Sequence, residues 1–349
     1  MSSNASPSRI ASLDGLRALS IALVLTSHLA GTQNFLLARG TLATYGDFGY
    51  LGVRVFFVIS GFLITSLLLE EHRRSHTISL RGFYLRRSFR IFPAFIVYLL
   101  AVVLLQALGQ LHLRDGDLFH AATYTTNYHY QRSWHLGHIW SLSVEEQFYL
   151  LWPLVFLVCK PRKALLVAAV VIAMGPFLRV AAWFSAGPWR DDVIFEAFPT
   201  VADALATGCL LAGARGWLWR SAWYRRFLGS PAFWLVPVGV AVCNLPHRVW
   251  FDVTIGVSLL NLGIAVIIDR FVRFPDTWSG VVLNWRPLVW LGTLSYSLYL
   301  WQEIFLNPNS EHPFAAFPIN LIAALLVATA SFYLIEKPCL RFRVRHKLG

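Results

Sequence analysis

Ionisable side chains lie inside hydrophobic stretches of this chain, where charge is costly. The first stretch carries Asp14, Arg17 and His28, with His28 eleven residues after Arg17. On an α-helix this offset returns to within about 20° of the same face and rises about 16.5 Å. Asp14 belongs to the same stripe. Ionisable groups in membrane segments are functional by default, so this face predicts an intramembrane site with a deep imidazole.

A second polar stripe begins at His138, and Ser141 and Glu145 share its face by three- and four-residue spacing. From the inner side of a core about 30 Å thick, Glu145 is expected about 20 Å deep and His28 about 18 Å deep. A carboxylate can orient an imidazole and stabilise imidazolium. The two residues therefore predict a general-base pair. The alternative is a His28 that only hydrogen-bonds to a neighbouring helix.

A basic connection holds Arg87 and Arg90, which form a fork on one helical turn. Guanidinium forks suit phosphate recognition, although topology and contact with anionic lipid would also explain them. The segment 52–63 contains Gly52 and Gly61, which permit close helix approach. It is expected to line the site by packing, with Arg54 reaching outwards at its outer end.

Membrane-spanning helices must position these side chains. The 349 residues are 56% hydrophobic and only 14% charged, unlike a soluble protein of this length. Apolar runs of about 17–25 residues recur along the chain, the length that crosses a bilayer. The sequence predicts an all-α, polytopic bundle of about ten helices. Their expected spans are 15–36, 50–69, 91–109, 138–158, 164–184, 198–214, 231–247, 251–268, 286–306 and 315–335.

The net charge of +12 is distributed as membrane topology requires. With the N-terminus inside, the inner connections hold about 23 Lys and Arg and the outer ones about five, which predicts N-in/C-in orientation. Nucleic acid is therefore not an expected partner. The first stretch lacks a cleavage site and is expected to be retained. The four cysteines are scattered, so neither a metal site nor a disulfide framework is expected.

The longest expected outer loop, 110–137, is rich in His, Tyr and Trp. These side chains could contact a sugar ring, or they could form an interfacial aromatic belt. The sequence leaves both interpretations open.

At these motifs the chain resembles the acyltransferase 3 family of integral-membrane acyltransferases, in its stand-alone form without a C-terminal hydrolase-like domain. The matching motifs follow one another nearly end to end. They are Leu13-Asp14-Gly15-Leu16-Arg17 with His28, 56–62, the pair Arg87 and Arg90, 140–153, 295–301 and Ile335-Glu336-Lys337-Pro338.

The resemblance implies an acyltransferase domain over residues 10–340 with short cytoplasmic tails at 1–9 and 341–349, in a multi-pass protein of the plasma (inner) membrane. It implies transfer of an acyl group, usually acetyl, from cytoplasmic acyl-CoA to a hydroxyl of a carbohydrate or glycolipid. Acyl-CoA is then a co-substrate, and no permanently bound cofactor is expected. The Arg17–His28 and Arg87–Arg90 pairs match the family's activity motifs.

In the resulting hypothesis, Arg87, Arg90 and Arg17 bind the phosphates of acyl-CoA. His28 acts as a general base, and Glu145 orients it. His28 could instead carry the acyl group transiently. Asp14, Ser141 and Asp203 are expected to support the site. Gln302 stands where many members have His, and Val201 where a basic residue often precedes the Asp. The rival hypothesis is a proton-coupled transporter of a sugar or small anion, with a relay through Arg17, His28, Glu145 and Asp203.

Overall fold

The chain is a bundle of helices in a computed structural model that describes residues 10–246, 249–310 and 312–346. No strand occurs in these ranges, which confirms the predicted all-α fold class. The expected tail at 1–9, the link at 247–248 and residues 347–349 lie outside the described residues. The principal helices are α1 (Ala11–Leu29), α2 (Phe48–Ser75), α3 (Leu80–Ala107), α4 (Ile139–Ser185), α5 (Phe198–Arg220), α6 (Ala222–Gly229), α7 (Leu235–Cys243), α8 (Val257–Arg273), α9 (Arg286–Phe305), α10 (Ile319–Ser331) and α11 (Lys337–Arg345).

Within the described residues, six helices are long and apolar enough to cross a membrane. The count becomes seven if α6 and the helical segment Pro231–Cys243, which meet at 73°, form one broken span. The protein is therefore a polytopic helical membrane protein, while the number of ten spans stays a prediction. One of the six candidates includes α4, where two spans were expected. Lys160 breaks this helix with a φ of 60°, because the following Pro161 disfavours helical geometry at the residue before it.

The first helix lies earlier in the chain than predicted. It begins at Ala11 and ends at Leu29, whereas the expected span was 15–36. Gly31 has a φ of +87°, a conformation that glycine adopts without steric cost, and the chain turns there. His28 consequently lies in the last turn of α1, next to the connections, and not in the middle of a longer helix.

Close helix contacts hold the centre of the bundle together. α1 packs between α2 and α9, and α5 packs against α2 and α4. A Cβ atom on Gly292 would lie 1.8 Å from the carbonyl oxygen of Asp14, and one on Gly208 would lie 2.1 Å from that of Val58. One on Gly52 would lie 2.6 Å from that of Ser20, as the small residues of segment 52–63 predicted. This packing brings the end of α1 beside the end of α9.

Candidate active site

The His28 side chain contacts the C-terminal end of α9. Its Nδ1 lies 2.9 Å from Oε1 of Gln302, and its Nε2 lies 3.9 Å from Oε1 of Glu303. The ring also packs edge-on against Trp134, with 5.5 Å between ring centres. About a fifth of the imidazole side chain is exposed (21%). The ring is therefore fixed by α9 on one edge and remains reachable on another.

The expected partner of His28 was wrong. Glu145 accepts a hydrogen bond from the Ser60 hydroxyl at 2.6 Å, and the carboxylate beside His28 is Glu303. The two stripes were matched in depth alone, and depth does not fix the direction in which a helix face points. Glu145 faces α2, whereas His28 faces α9.

Glu303 is buried and held from a second side by His138. Oε2 of Glu303 lies 2.7 Å from Nδ1 of His138 and accepts from the His138 backbone N–H at 3.3 Å. The other ring nitrogen, Nε2, lies 3.1 Å from the carbonyl oxygen of Leu300. The Trp134 indole N–H donates to the carbonyl oxygen of Glu303 at 3.1 Å. The carboxylate beside His28 therefore has one fixed orientation.

A cavity of about 970 Å³ opens over His28. His28, His138 and Glu303 line it together with residues of the connections, among them Trp134 and Tyr130. Part of the aromatic loop 110–137 thus lines this cavity. Burial raises the pKa of the Tyr130 hydroxyl, so that group stays a neutral donor. The volume matches that of pockets that bind small organic ligands.

A cluster of guanidinium groups lies nearer the other end of α1. Arg17 and Arg87 are half-buried and Arg90 is exposed, and all three are close enough to interact electrostatically. Arg87 also lies 4.2 Å from the centre of the Tyr149 ring. Arg17 and Arg87 are also close enough to the Glu145 carboxylate to attract it electrostatically. The structure thus brings the three predicted arginines together, with Glu145 as a carboxylate beside them.

A second cavity of about 50 Å³ lies between the arginine cluster and the large cavity. Arg17, Glu145 and Ser141 line it. Val53 and Tyr299 line both cavities, so these two buried side chains form the partition between them. The Tyr299 hydroxyl lies 2.6 Å from the Ser141 hydroxyl and donates to the carbonyl oxygen of His138 at 3.0 Å. Ser141 therefore supports the partition.

Two of the other expected residues have structural partners. Asp203 accepts from Arg54 at 2.9 Å and from Arg179 at 2.7 Å, with all three side chains buried. The expectation that Arg54 reaches towards solvent was wrong, because this carboxylate holds it inside. Arg54 also donates to the hydroxyl of Tyr50, which lines the large cavity. Asp14 is buried at the α1–α9 contact and has an interaction partner.

Sequence reasoning missed four side chains around His28. Trp134 and His138 were treated as members of a loop and a stripe, and Gln302 only as a departure from a motif. Glu303 was not singled out, although it is the one carboxylate in the apolar run 286–306. An ionisable residue in such a run is the signal that could have identified it.

Comparison with known proteins gives one family for most of the chain. The model for the acyltransferase domain family matches residues 10–337. The peptidoglycan O-acetyltransferase OatA of Listeria monocytogenes is 30% identical over 376 residues, covering 94% of this chain and 55% of that protein. The O-acetyltransferase OatA of Staphylococcus aureus is 30% identical over 366 residues, covering 95% of this chain and 57% of that protein. The chain thus spans little more than half the length of these relatives. No solved structure matches, and the transporter hypothesis gains no support.

Proposed function

The chain belongs to the acyltransferase domain family, and we propose that it is a membrane O-acetyltransferase that uses acetyl-CoA as donor. The proposed acceptor is a hydroxyl of a cell-envelope carbohydrate. Support for this acceptor comes from the relatives, one of which is named a peptidoglycan O-acetyltransferase. The plasma membrane is the proposed location, because its two faces meet acetyl-CoA and the cell envelope respectively.

The arginine cluster is the proposed binding site for the phosphates of acetyl-CoA. Guanidinium groups bind phosphate oxygens through charge-assisted, often bidentate hydrogen bonds. Arg17 lines the small cavity, and Arg17 and Arg87 are both close enough to Arg90 to interact with it electrostatically. In the proposed complex the pantetheine arm enters the small cavity, and the thioester meets the partition formed by Val53 and Tyr299. The partition must move for acetyl to pass, since both side chains are buried.

His28 is the proposed general base. When Nδ1–H of His28 donates a hydrogen bond to the Gln302 amide oxygen, the lone pair of Nε2 is free to take the proton of an acceptor hydroxyl. The hydroxyl oxygen attacks the thioester carbonyl carbon, the C–S bond breaks, and the departing sulfur takes the proton from His28. Glu303 stabilises the transient imidazolium from 3.9 Å. In the second possible route, His28 itself carries the acetyl group between the two cavities.

The single observation that carries the proposal is the location of His28 in a large cavity that shares a partition with a smaller, arginine-lined cavity. The test uses the purified protein in neutral-lipid nanodiscs with acetyl-CoA and an oligosaccharide acceptor. Free CoA thiol and the acceptor's gain of acetyl mass are measured together. His28→Ala should abolish both, whereas His112→Ala, an exposed loop histidine, should retain both. Transfer that survives His28→Ala would contradict the proposed role.

A further inference from the structure

The charged side chains that line the large cavity differ in the hydrogen bonds and ion pairs that they make. Four carboxylates line it, namely Asp47, Glu196, Asp252 and Glu303, and each is engaged. Glu196 accepts two hydrogen bonds from Arg132, at 2.6 and 2.5 Å, and Glu303 contacts His138 at 2.7 Å. Asp47 accepts from the Tyr50 backbone N–H at 2.8 Å, and Asp252 also has a partner.

Two of the three arginines in the same lining have no such partner. Arg39 and Arg114 line the cavity and are exposed. Neither guanidinium makes an ion pair or a hydrogen bond with any residue in the described part of the chain. Arg39 and Arg114 therefore offer two positive charges to an anionic ligand in this cavity, whereas the exposed Asp47 keeps its negative charge, because its contact is a neutral backbone N–H.

We infer that the large cavity binds an acceptor carbohydrate that carries a negatively charged group, a carboxylate or a phosphate, held by Arg39 and Arg114. This inference rests on the proposed function and names the class of its acceptor. Guanidinium is the side chain best suited to both anions, because its planar fork matches their oxygens. A neutral oligosaccharide would leave both charges without a partner.

The position of Arg39 relative to His28 limits where the anionic group can lie. The Arg39 guanidinium carbon lies 5.4 Å from the centre of the Trp134 ring, and the His28 ring centre lies 5.5 Å from the same point. The sum of these two distances is therefore the upper limit for the separation between the Arg39 guanidinium carbon and the His28 ring centre. This limit is comparable with the length of a disaccharide. The anionic group is expected on the sugar that is acetylated or on its neighbour.

Acetyl-CoA is the other anion in the reaction, and its proposed site is elsewhere. The cluster of Arg17, Arg87 and Arg90 lies beyond the partition formed by Val53 and Tyr299. A change at Arg39 or Arg114 should consequently alter the use of the acceptor and leave the use of the donor unchanged.

The test compares three disaccharide acceptors that differ in the presence and the kind of an anionic group. They are a disaccharide containing a hexuronic acid, its methyl ester, and the neutral disaccharide bearing a phosphate monoester. Neutral-lipid nanodiscs remove anionic lipid headgroups as an alternative ligand. The native protein should prefer an anionic acceptor over the ester by about 10- to 100-fold in kcat/KM, as charge-assisted hydrogen bonds imply. Preference for the uronic acid or for the phosphate ester identifies the anion.

Arg39→Gln and Arg114→Gln should each reduce this preference, mainly by raising KM for the anionic acceptor, and added salt should weaken it. Arg190→Gln is the matched control, because Arg190 packs on Trp183 outside the cavity lining. Equal use of charged and neutral acceptors by the native protein would overturn the inference and leave the proposed function intact. A raised KM for acetyl-CoA in the variants, with unchanged acceptor preference, would also overturn it.

If the native protein acetylates none of the acceptors, the proposed function fails, and calorimetric binding of the same disaccharides tests the cavity independently. Binding that is tighter for the anionic disaccharide and is lost in Arg39→Gln would support the inference. Equal binding of the acid and its ester would overturn it.

Discussion

Replacing Asp203 by Asn should destabilise the bundle strongly. Asp203 on α5 joins Arg54 of α2, at 2.9 Å, to Arg179 of α4, at 2.7 Å. The exposed fraction of the three side chains is 1% or less. Asn keeps the size of the side chain but removes the negative charge. Two guanidinium groups then remain inside the protein without a counter-charge or access to water.

The expected loss in the free energy of unfolding is about 3–5 kcal/mol, the usual effect of removing one partner from a buried ion pair. The chain contains a matched control in Asp269, which contacts Arg215 at 2.7 Å and Arg273 at 2.8 Å. These two arginines are 26% and 14% exposed, so water can solvate them when the charge is lost. Asp269→Asn should therefore cost only about 1–2 kcal/mol.

The measurement is reversible unfolding in mixed micelles of increasing SDS content, followed by tryptophan fluorescence. Both variants are compared with the native protein, and the difference between them is the quantity of interest. Equal destabilisation by the two substitutions, or a loss below about 1 kcal/mol for Asp203→Asn, would refute the argument that burial of the arginines determines the effect.

Two further predictions concern catalysis and packing. Glu303→Gln should lower kcat about 100-fold, because the carboxylate beside His28 stabilises imidazolium. Glu145→Gln should lower kcat much less, because the hydrogen-bond partner of Glu145 is Ser60 on α2. Steady-state kinetics compare the two variants, and a larger loss of kcat in Glu145→Gln would return Glu145 to the role of partner of His28. Gly208→Ala should lower the free energy of unfolding by about 1–3 kcal/mol, because the new Cβ would lie 2.1 Å from a backbone oxygen of α2. Gly216→Ala in the same helix meets nothing within 4 Å and should not destabilise; equal losses in SDS unfolding would contradict this argument.

The sequence was sufficient to predict features that depend on one helix alone. Arg17 and His28 belong to one helix, α1, at the predicted spacing, and the small residues of segment 52–63 form close contacts. Both features depend on local geometry and residue size, which the sequence carries directly. The helical class of the protein follows from composition for the same reason.

Contacts between distant segments could not be derived in this way. Gln302 lies 274 positions from His28, and Asp203 lies 149 positions from Arg54. Hydropathy estimates depth along the membrane normal but not the rotation of each helix about its axis. Glu145 was consequently predicted as the partner of His28 from its depth, although the two side chains point towards different helices.

The partition formed by Val53 and Tyr299 also has a consequence for the membrane itself. A continuous water-filled path between the two cavities would conduct protons and dissipate the electrochemical gradient across the bilayer. Val53 and Tyr299 line both cavities, and the Tyr299 hydroxyl is already engaged by Ser141 and the His138 carbonyl, so we expect these two side chains to interrupt such a path whenever the partition is closed.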